Sequence, residues 1–298
     1  MIQILDSIAE LPPYGRVAVT INCSTRWFTT LAVASLSRFS TYPILIIDCA
    51  STDNSIEHFC AIFSGKNDNV YLYSHALNLH GYTLDALFEE LAAYEVLLVD
   101  SDLEILDGKI ISAMDAALSA DNSAYGSGLL QEGAWMTAPL HHYPEGVSWY
   151  HQRMWIPLTL LRTSEIKNAL KRGESFVACR DYCEIVGWPR LSGWLSHRFR
   201  LRGLFGVRAG APALIHEWDT GSKLHNSLIC DGLGFAEIDP SYYSCVNHIH
   251  GITRSRSSSL LFRLAVSLGL ISKSMLSDFE QAERAVRLRL KESYGDYV

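Results

Sequence analysis

Val96-Leu97-Leu98-Val99-Asp100-Ser101-Asp102 is the stretch that decides the fold of this chain. Four apolar residues in an unbroken run are the mark of a strand buried on both faces. The run ends in two carboxylates two residues apart. An ionised carboxylate withdrawn from water is costly unless a cation or a hydrogen-bond donor compensates it. Two of them at the end of a buried strand therefore point to a divalent cation. Hard oxygen ligands suit Mg²⁺ or Mn²⁺, which take one or two carboxylates and complete their shell with water and phosphate oxygens. Asp-x-Asp occurs in many loops by chance, and its position after a parallel-type strand is what gives it weight.

Moving outward from this stretch, residues 17–22, 44–48, 70–74 and 96–100 all read as buried strands. Helical periodicity fills the gaps at 27–37, 55–63 and 83–91. Strands alternating with helices at this spacing predict βαβ units and a mostly parallel sheet, an α/β fold. Ligands of such sheets bind beyond the carboxyl ends of the strands. Polar residues gather at those ends: Asn22 to Arg26, Asp48 to Asp53, and Asp100 to Asp102. Three polar strand ends on one rim make a nucleotide-sized site. No Gly-x-Gly-x-x-Gly follows the first strand and no Gly-x-x-x-x-Gly-Lys-Ser/Thr occurs, which disfavours a dinucleotide dehydrogenase and a P-loop NTPase.

The chain has 298 residues, 48% hydrophobic and 19% charged, the composition of an ordinary globular protein. Its net charge of −7 hides an asymmetry, because residues 1–140 carry 5 basic and 17 acidic side chains. An acidic half without a strong basic face argues against nucleic acid as a partner. If that half holds an anion, a metal must mediate. The first residues lack the pattern of a secretory signal. Seven irregularly spaced cysteines give no disulfide framework, and Cys179 with Cys183 is poor zinc spacing. Reduced thiols and a cytoplasmic location are expected.

Beyond residue 125 the pattern becomes irregular. Trp135, His141, His142, Tyr143, Trp149, Tyr150 and Trp155 crowd one stretch, either as an acceptor platform for a sugar or as core. Residues 165–172 read as a helix. Residues 198–202 alternate basic and apolar, either to meet an anionic acceptor or lipid phosphate or as a solvated strand face. Asp219-Thr220-Gly221 opens a helix through Leu224 and Leu228 that Gly232 or Gly234 ends. Residues 242–250 read as a final strand, and 277–292 as a helix with Ser277 and Glu280 spaced as a capping box. Residues 260–275 and nearby arginines suit either a membrane surface, a partner, or a packed amphipathic helix. No linker divides the chain. A single domain is expected, with residues 15–125 as a nucleotide-binding half, 126–255 as an acceptor half and 256–298 as a helical extension.

These residues resemble a known family. A first strand followed by Asn and Arg leads to Ile47-Asp48-x-x-Ser51-Thr52-Asp53-x-Ser55. Then come Asn78-Leu79-His80-Gly81-x-x-Leu84-Asp85 and the Asp100-Ser101-Asp102 strand end. The order is similar to that of GT-A glycosyltransferases of the family 2 type, strongly over residues 15–110 and in scattered pieces beyond. The resemblance implies a GT-A-like sheet and a metal-dependent, hexosyltransferase-type enzyme. It would move a sugar from a nucleoside diphosphate to an acceptor hydroxyl, a glycan, lipid-linked or small molecule, with inversion.

By the same resemblance Asn22, Thr25, Arg26, Asp48 and Asp53 hold the nucleoside, His80 and Gly81 lie over the nucleotide, and Ser101 belongs to the donor site. Asp53 is also placed to cap the segment beginning near Ser55, and His80 to bond its own turn. Asp100 and Asp102 are the implied ligands of Mn²⁺ or Mg²⁺. In His248-Ile249-His250-Gly251 either His248, which matches a ligand position of some relatives, or His250, which departs from the pattern, adds a third. The base is implied at Glu217-Trp218-Asp219, where Trp218 replaces a second acid. Asp219 is the expected base and Glu217 its substitute, although Asp219 also stands where a helix cap belongs. Two other functions fit the same site: a catalytically silent homologue serving as a binding or scaffold subunit, and a sugar-1-phosphate nucleotidyltransferase.

Overall fold

The computed structural model of the chain describes residues 2–65, 69–76, 80–132, 152–182, 215–249 and 274–297. Its centre is an eight-stranded sheet. In chain order the strands are β1 (Gln3–Leu5), β2 (Arg16–Asn22), β3 (Ile44–Cys49), β4 (Val70–His75), β5 (Glu95–Val99), β7 (Ala124–Glu132), β8 (Gln152–Arg162) and β11 (Gly234–Glu237). They lie side by side in the order β1-β4-β3-β2-β5-β8-β7-β11. The first five are parallel to one another, β8 runs antiparallel to both β5 and β7, and β11 is parallel to β7.

Helices cover both faces, which explains the unbroken apolar runs. Ile44, Ile46, Leu97 and Val99 point to one face, beneath α1 (Arg26–Phe39), α2 (Ser55–Phe63) and α4 (Lys109–Ala120). Leu45, Ile47, Val96 and Leu98 point to the other, beneath α3 (His80–Glu90), α5 (Thr163–Lys171) and α6 (Ser222–Cys230). Successive strand residues alternate faces, so a strand covered on both sides has no polar alternate. The last helix, α7 (Ser274–Ser293), lies against the outer face of α1, where Val286 and Leu290 meet Phe28 and Leu31.

Two short ribbons complete the described chain. β6 (Leu103–Ile105) pairs antiparallel with β12 (Val246–His248), and β9 (Cys179–Tyr182) with β10 (Ile215–Trp218). The expected strand at 242–250 is thus corrected. Asp239 caps a 3-10 helix, Pro240–Cys245, by accepting from the Ser241 amide at 2.8 Å, with proline at the first position, and only three residues of strand remain. The capping box is corrected too, because α7 already runs from Ser274 and Ser277 lies within it. The stretch beyond residue 125, irregular in its sequence pattern, contains the two longest strands among the described residues, β7 and β8. In β8, Trp155 is 4% exposed, a core residue rather than a platform. Trp135, His141, His142, Tyr143, Trp149, Tyr150, Cys183, residues 198–202 and residues 250–273 lie outside the described residues. Cys49, Cys60, Cys230 and Cys245 are free thiols. Among the described residues no helix is long and apolar enough to cross a membrane.

Candidate active site

The sheet reverses its direction of growth between β2 and β5, and the crevice beyond such a reversal is where open α/β sheets bind ligands. The ends of β2, β3 and β5 meet there. Register sets the first contact: Asn22 pairs with Asp48 across parallel strands, which puts both side chains on one face. Asn22 donates from Nδ2 to Asp48 Oδ1 at 2.5 Å and to Ser51 Oγ at 2.9 Å. Its Oδ1 accepts from the Thr25 amide, the Thr25 hydroxyl and the Thr29 hydroxyl at 3.2, 3.0 and 2.8 Å. Asp48 also accepts from the hydroxyl and the amide of Ser51, at 2.5 and 3.1 Å. The loop after β2 and the loop after β3 are thereby laced together.

The lacing continues outward. Ser24 donates its amide to Ser51 Oγ at 2.6 Å and accepts the Thr52 amide at 2.7 Å. Arg26 donates its amide to Asp53 Oδ2 at 3.3 Å, and its guanidinium reaches the Asp53 carbonyl. Asp53 also accepts from the Ser55 hydroxyl. It therefore satisfies the first amide of α1, where helical amides lack partners, but does not cap α2: there it meets only the Ser55 side chain, and Asn54 holds the cap position without a side-chain bond. Ser24, Ala50 and Asn54 have φ of 45°, 47° and 58°, a left-handed conformation unusual for residues with a Cβ. Such residues cluster where surrounding contacts over-determine the backbone. Asn22 and Asp48 are wholly enclosed, whereas Arg26 and Asp53 keep partly exposed side chains.

The second part of the site is charged. β5 ends at Val99; Asp100 donates its amide to the Pro157 carbonyl at 2.9 Å, and its carbonyl accepts from Leu103 at 3.2 Å. This tight turn leads into β6, whose partner β12 sets His248 opposite Leu103. The Ile249 amide donates to the Asp102 carbonyl at 2.9 Å, and His248 Nε2 lies 3.3 Å from Asp102 Oδ1. One ligand atom each from Asp100, Asp102 and His248 lies within 4.8 Å of the others. Among the described residues this is the one such cluster. Burial pushes the Asp100 carboxyl above its ordinary range, Asp102 and Asp219 add to the push, and His80 and His248 oppose it. Burial works against protonation of His248, but the hydrogen bond and charge of Asp102 outweigh it, and its pKa is raised. Two carboxylates and an imidazole that charge in opposition are a donor set that could hold a divalent cation.

Other expected residues fall around this cluster. His80, at the start of α3, shares a small crevice with Asp100 over Val19, Ile21, Leu84 and Ile156. Ser101 is buried, and its Oγ accepts from Thr25 Oγ1 at 3.4 Å, joining the two parts. Gly81 has a packing reason to be glycine. A Cβ there would stand 2.5 Å from Val177 Cα and 2.7 Å from Val177 N. His250 lies outside the described residues, and Glu217 stands in β10. Asp219 is not the helix cap; Gly221, with φ 74°, precedes α6 instead. Asp219 Oδ2 accepts from Arg153 Nη1 at 3.0 Å and Oδ1 from the Thr220 amide at 2.8 Å. Arg153 had no signal in the sequence beyond a basic residue at the head of an apolar run. Its partners, Asp219 and Gln131 Oε1 at 2.9 Å, are 66 and 22 residues away.

The architecture is the expected α/β one, a mostly parallel sheet between helical layers. No family model matches the chain, and no curated protein matches it. Similar solved structures include S. aureus TarS 1-349 in complex with UDP-GlcNAc. It is 16% identical, with a TM-score of 0.39 over 51% of this chain and 46% of that one. They also include the mannosyltransferase PcManGT from Pyrobaculum calidifontis in complex with GDP-Man and Mn²⁺. Its identity is 12% and its TM-score 0.40, over 59% of this chain and 51% of that one. A third is 4-diphosphocytidyl-2C-methyl-D-erythritol synthase from Anaerococcus prevotii, 10% identical with a TM-score of 0.40, covering 62% of this chain and 83% of that one. The chain thus spans about half the length of the first two. None of these likenesses bears on substrate or chemistry.

Proposed function

We propose that the chain is a metal-dependent glycosyltransferase that moves a sugar from a nucleoside diphosphate to an acceptor hydroxyl. The observation that carries this is the Asp100–Asp102–His248 cluster at the switch point of the sheet, with ligand atoms within 4.8 Å of one another. Asp100, Asp102 and His248 would hold Mn²⁺ or Mg²⁺. When bound, the ion neutralises charge on the diphosphate leaving group. The laced loops form the nucleoside side. Arg26 and Asp53, with partly exposed side chains, face the ligand, while Asn22, Asp48 and Thr25 fix the shape of the loops from behind. His80 sits over the crevice beside Asp100, and Ser101 ties the two sides. Asp219 takes the proton of the acceptor hydroxyl as that oxygen attacks, using a lone pair left free by Arg153 and Thr220, with inversion at the anomeric carbon. Glu217 is the substitute base. The setting is cytoplasmic, with peripheral membrane contact where the acceptor is lipid-linked.

A catalytically silent binding protein on the same fold is the second reading. The Arg153–Asp219 bridge favours it, since both oxygens of the proposed base already accept hydrogen bonds. One experiment tests both: thermal stabilisation by a panel of nucleoside diphosphates and sugar nucleotides, with Mn²⁺ and with EDTA. Stabilisation by one nucleotide that needs Mn²⁺ and disappears in Asp102→Asn is the expected result. No stabilisation by any of them overturns the donor site. Stabilisation without turnover or donor hydrolysis selects the silent protein.

A further inference from the structure

We propose that α7 is a latch for the metal side of the site, and that Arg289 and Tyr294 are positioning residues that act on Asp102 and His248 through Glu104. This rests on Asp102 and His248 being metal ligands. Glu104 stands in β6, two residues beyond Asp102, and its side chain is 1% exposed. A carboxylate so enclosed demands compensation. Its Oε1 accepts from Arg289 Nε at 2.8 Å and from the Tyr294 hydroxyl at 3.1 Å, while Oε2 accepts from Asn247 Nδ2 at 3.4 Å. One carboxylate thus joins β6, β12 and the end of α7.

The position of that junction gives it leverage. Asn247 faces Glu104 in the ribbon, and the neighbouring pair is His248 with Leu103. The ribbon has only three residue pairs, and a two-stranded ribbon of that length has little stability of its own. Its register is held beyond one end by the Ile249 amide on the Asp102 carbonyl, beyond the other by the Leu106 amide on the Cys245 carbonyl, and at its central pair by Glu104. Without Arg289, the buried carboxylate would draw β6 toward water and carry Asp102 with it. Another tie competes with the latch: the Ile105 amide donates to Ser35 Oγ of α1 at 3.0 Å. If that bond alone fixes β6, Arg289 is dispensable. Partners behind the ligands of a metal site commonly govern affinity by 10- to 100-fold, and Glu104 occupies such a place without touching the ion.

The test compares Arg289→Ala, Arg289→Lys and Val286→Ala in the 298-residue chain. Val286→Ala loosens the apolar docking of α7 on α1 and leaves the Glu104 contacts intact. Two quantities are read: Mn²⁺ affinity by titration with the metal alone, and backbone amide exchange across β6 and β12 without metal. Arg289→Ala should weaken Mn²⁺ binding by about tenfold and speed exchange in the ribbon. Arg289→Lys should recover part of both, and Val286→Ala should change neither by more than about twofold while lowering the melting temperature. Unchanged affinity and exchange in Arg289→Ala, or an equal loss in Val286→Ala, overturns the latch. A wild-type chain that binds no Mn²⁺ overturns the metal reading, and the exchange comparison then still decides whether α7 holds the ribbon.

Discussion

The two sides of the site are built on opposite principles. On the nucleoside side, the loops after β2 and β3 satisfy each other: Asn22 alone uses its amide group for five hydrogen bonds, to Asp48, Ser51, Thr25 and Thr29. On the metal side, Asp100, Asp102 and His248 face one another, and burial pushes the Asp100 carboxyl up. One region is complete without a ligand; the other leaves carboxylate charge for a cation to balance. On the proposed reading, such a site keeps its shape when empty and gains stability when the metal arrives. Substitutions on the two sides should therefore fail differently, one by losing chemistry and the other by losing the fold.

The largest effect is expected at Asp102. Asp102→Asn keeps the shape and removes one of two facing carboxylates, so turnover should fall about a thousandfold or more, several kcal/mol of lost transition-state stabilisation. The melting temperature should stay within a few degrees, because the variant also relieves charge beside Asp100. Full activity in this variant would erase the distinction between the two sides. Asn22→Ala is the converse. It takes one of three donors from the buried Asp48 carboxylate and the shared acceptor from two threonine hydroxyls, and should cost about 2–4 kcal/mol in chemical denaturation. A loss below about 1 kcal/mol would mean the lacing is slack and the nucleoside side forms only around its ligand.

Gly81→Ala comes next, at about 1–3 kcal/mol, as overpacking of a tight contact usually costs. The added Cβ would press on the backbone of Phe176 and Val177, and α3 must retreat, taking His80 with it. A variant of wild-type stability would show that the segment after α5 yields easily, and that His80 is not held by packing.

Much of this was legible in the sequence, and the reason is local. β2 to β5 declare themselves because helices on both faces remove every polar alternate, so that Ile44 to Ile47 or Val96 to Val99 admit no amphipathic helix of that length. The strand-end clusters were legible as well, since Asn22, Asp48 and Asp100 each follow an apolar run directly. The three-residue β1 and β6 gave no signal, being too short for a pattern. The ion pairs were hidden for another reason. Arg153 meets Asp219 across 66 residues and Arg289 meets Glu104 across 185, and nothing in either neighbourhood names the partner. Asp219 looked like a cap because caps are chosen by nearest neighbours, and its real partner arrives through the sheet.

Polar groups can also be buried with no charge at all, and His225 marks that limit against the two sides of the site. Its ring is 4% exposed, Nδ1 meets the Tyr125 hydroxyl, and burial lowers its pKa from 6.5 to about 4. The folded chain therefore binds fewer protons than the unfolded chain between those values, so stability rises with pH across that window and falls on acidification. Between pH 7 and pH 5 the loss from His225 is about 2 kcal/mol. His58, also lowered to about 4 by burial and by Arg26, adds to the same limb. His225→Gln keeps an acceptor for Tyr125 and removes the titration. The stability difference between pH 7 and pH 5 should shrink by about 2 kcal/mol in that variant, read by urea denaturation at each pH. An unchanged difference would mean that the pocket opens to let His225 charge, and that the layer beneath α6 is as adaptable as the metal side rather than as fixed as the loops of Asn22.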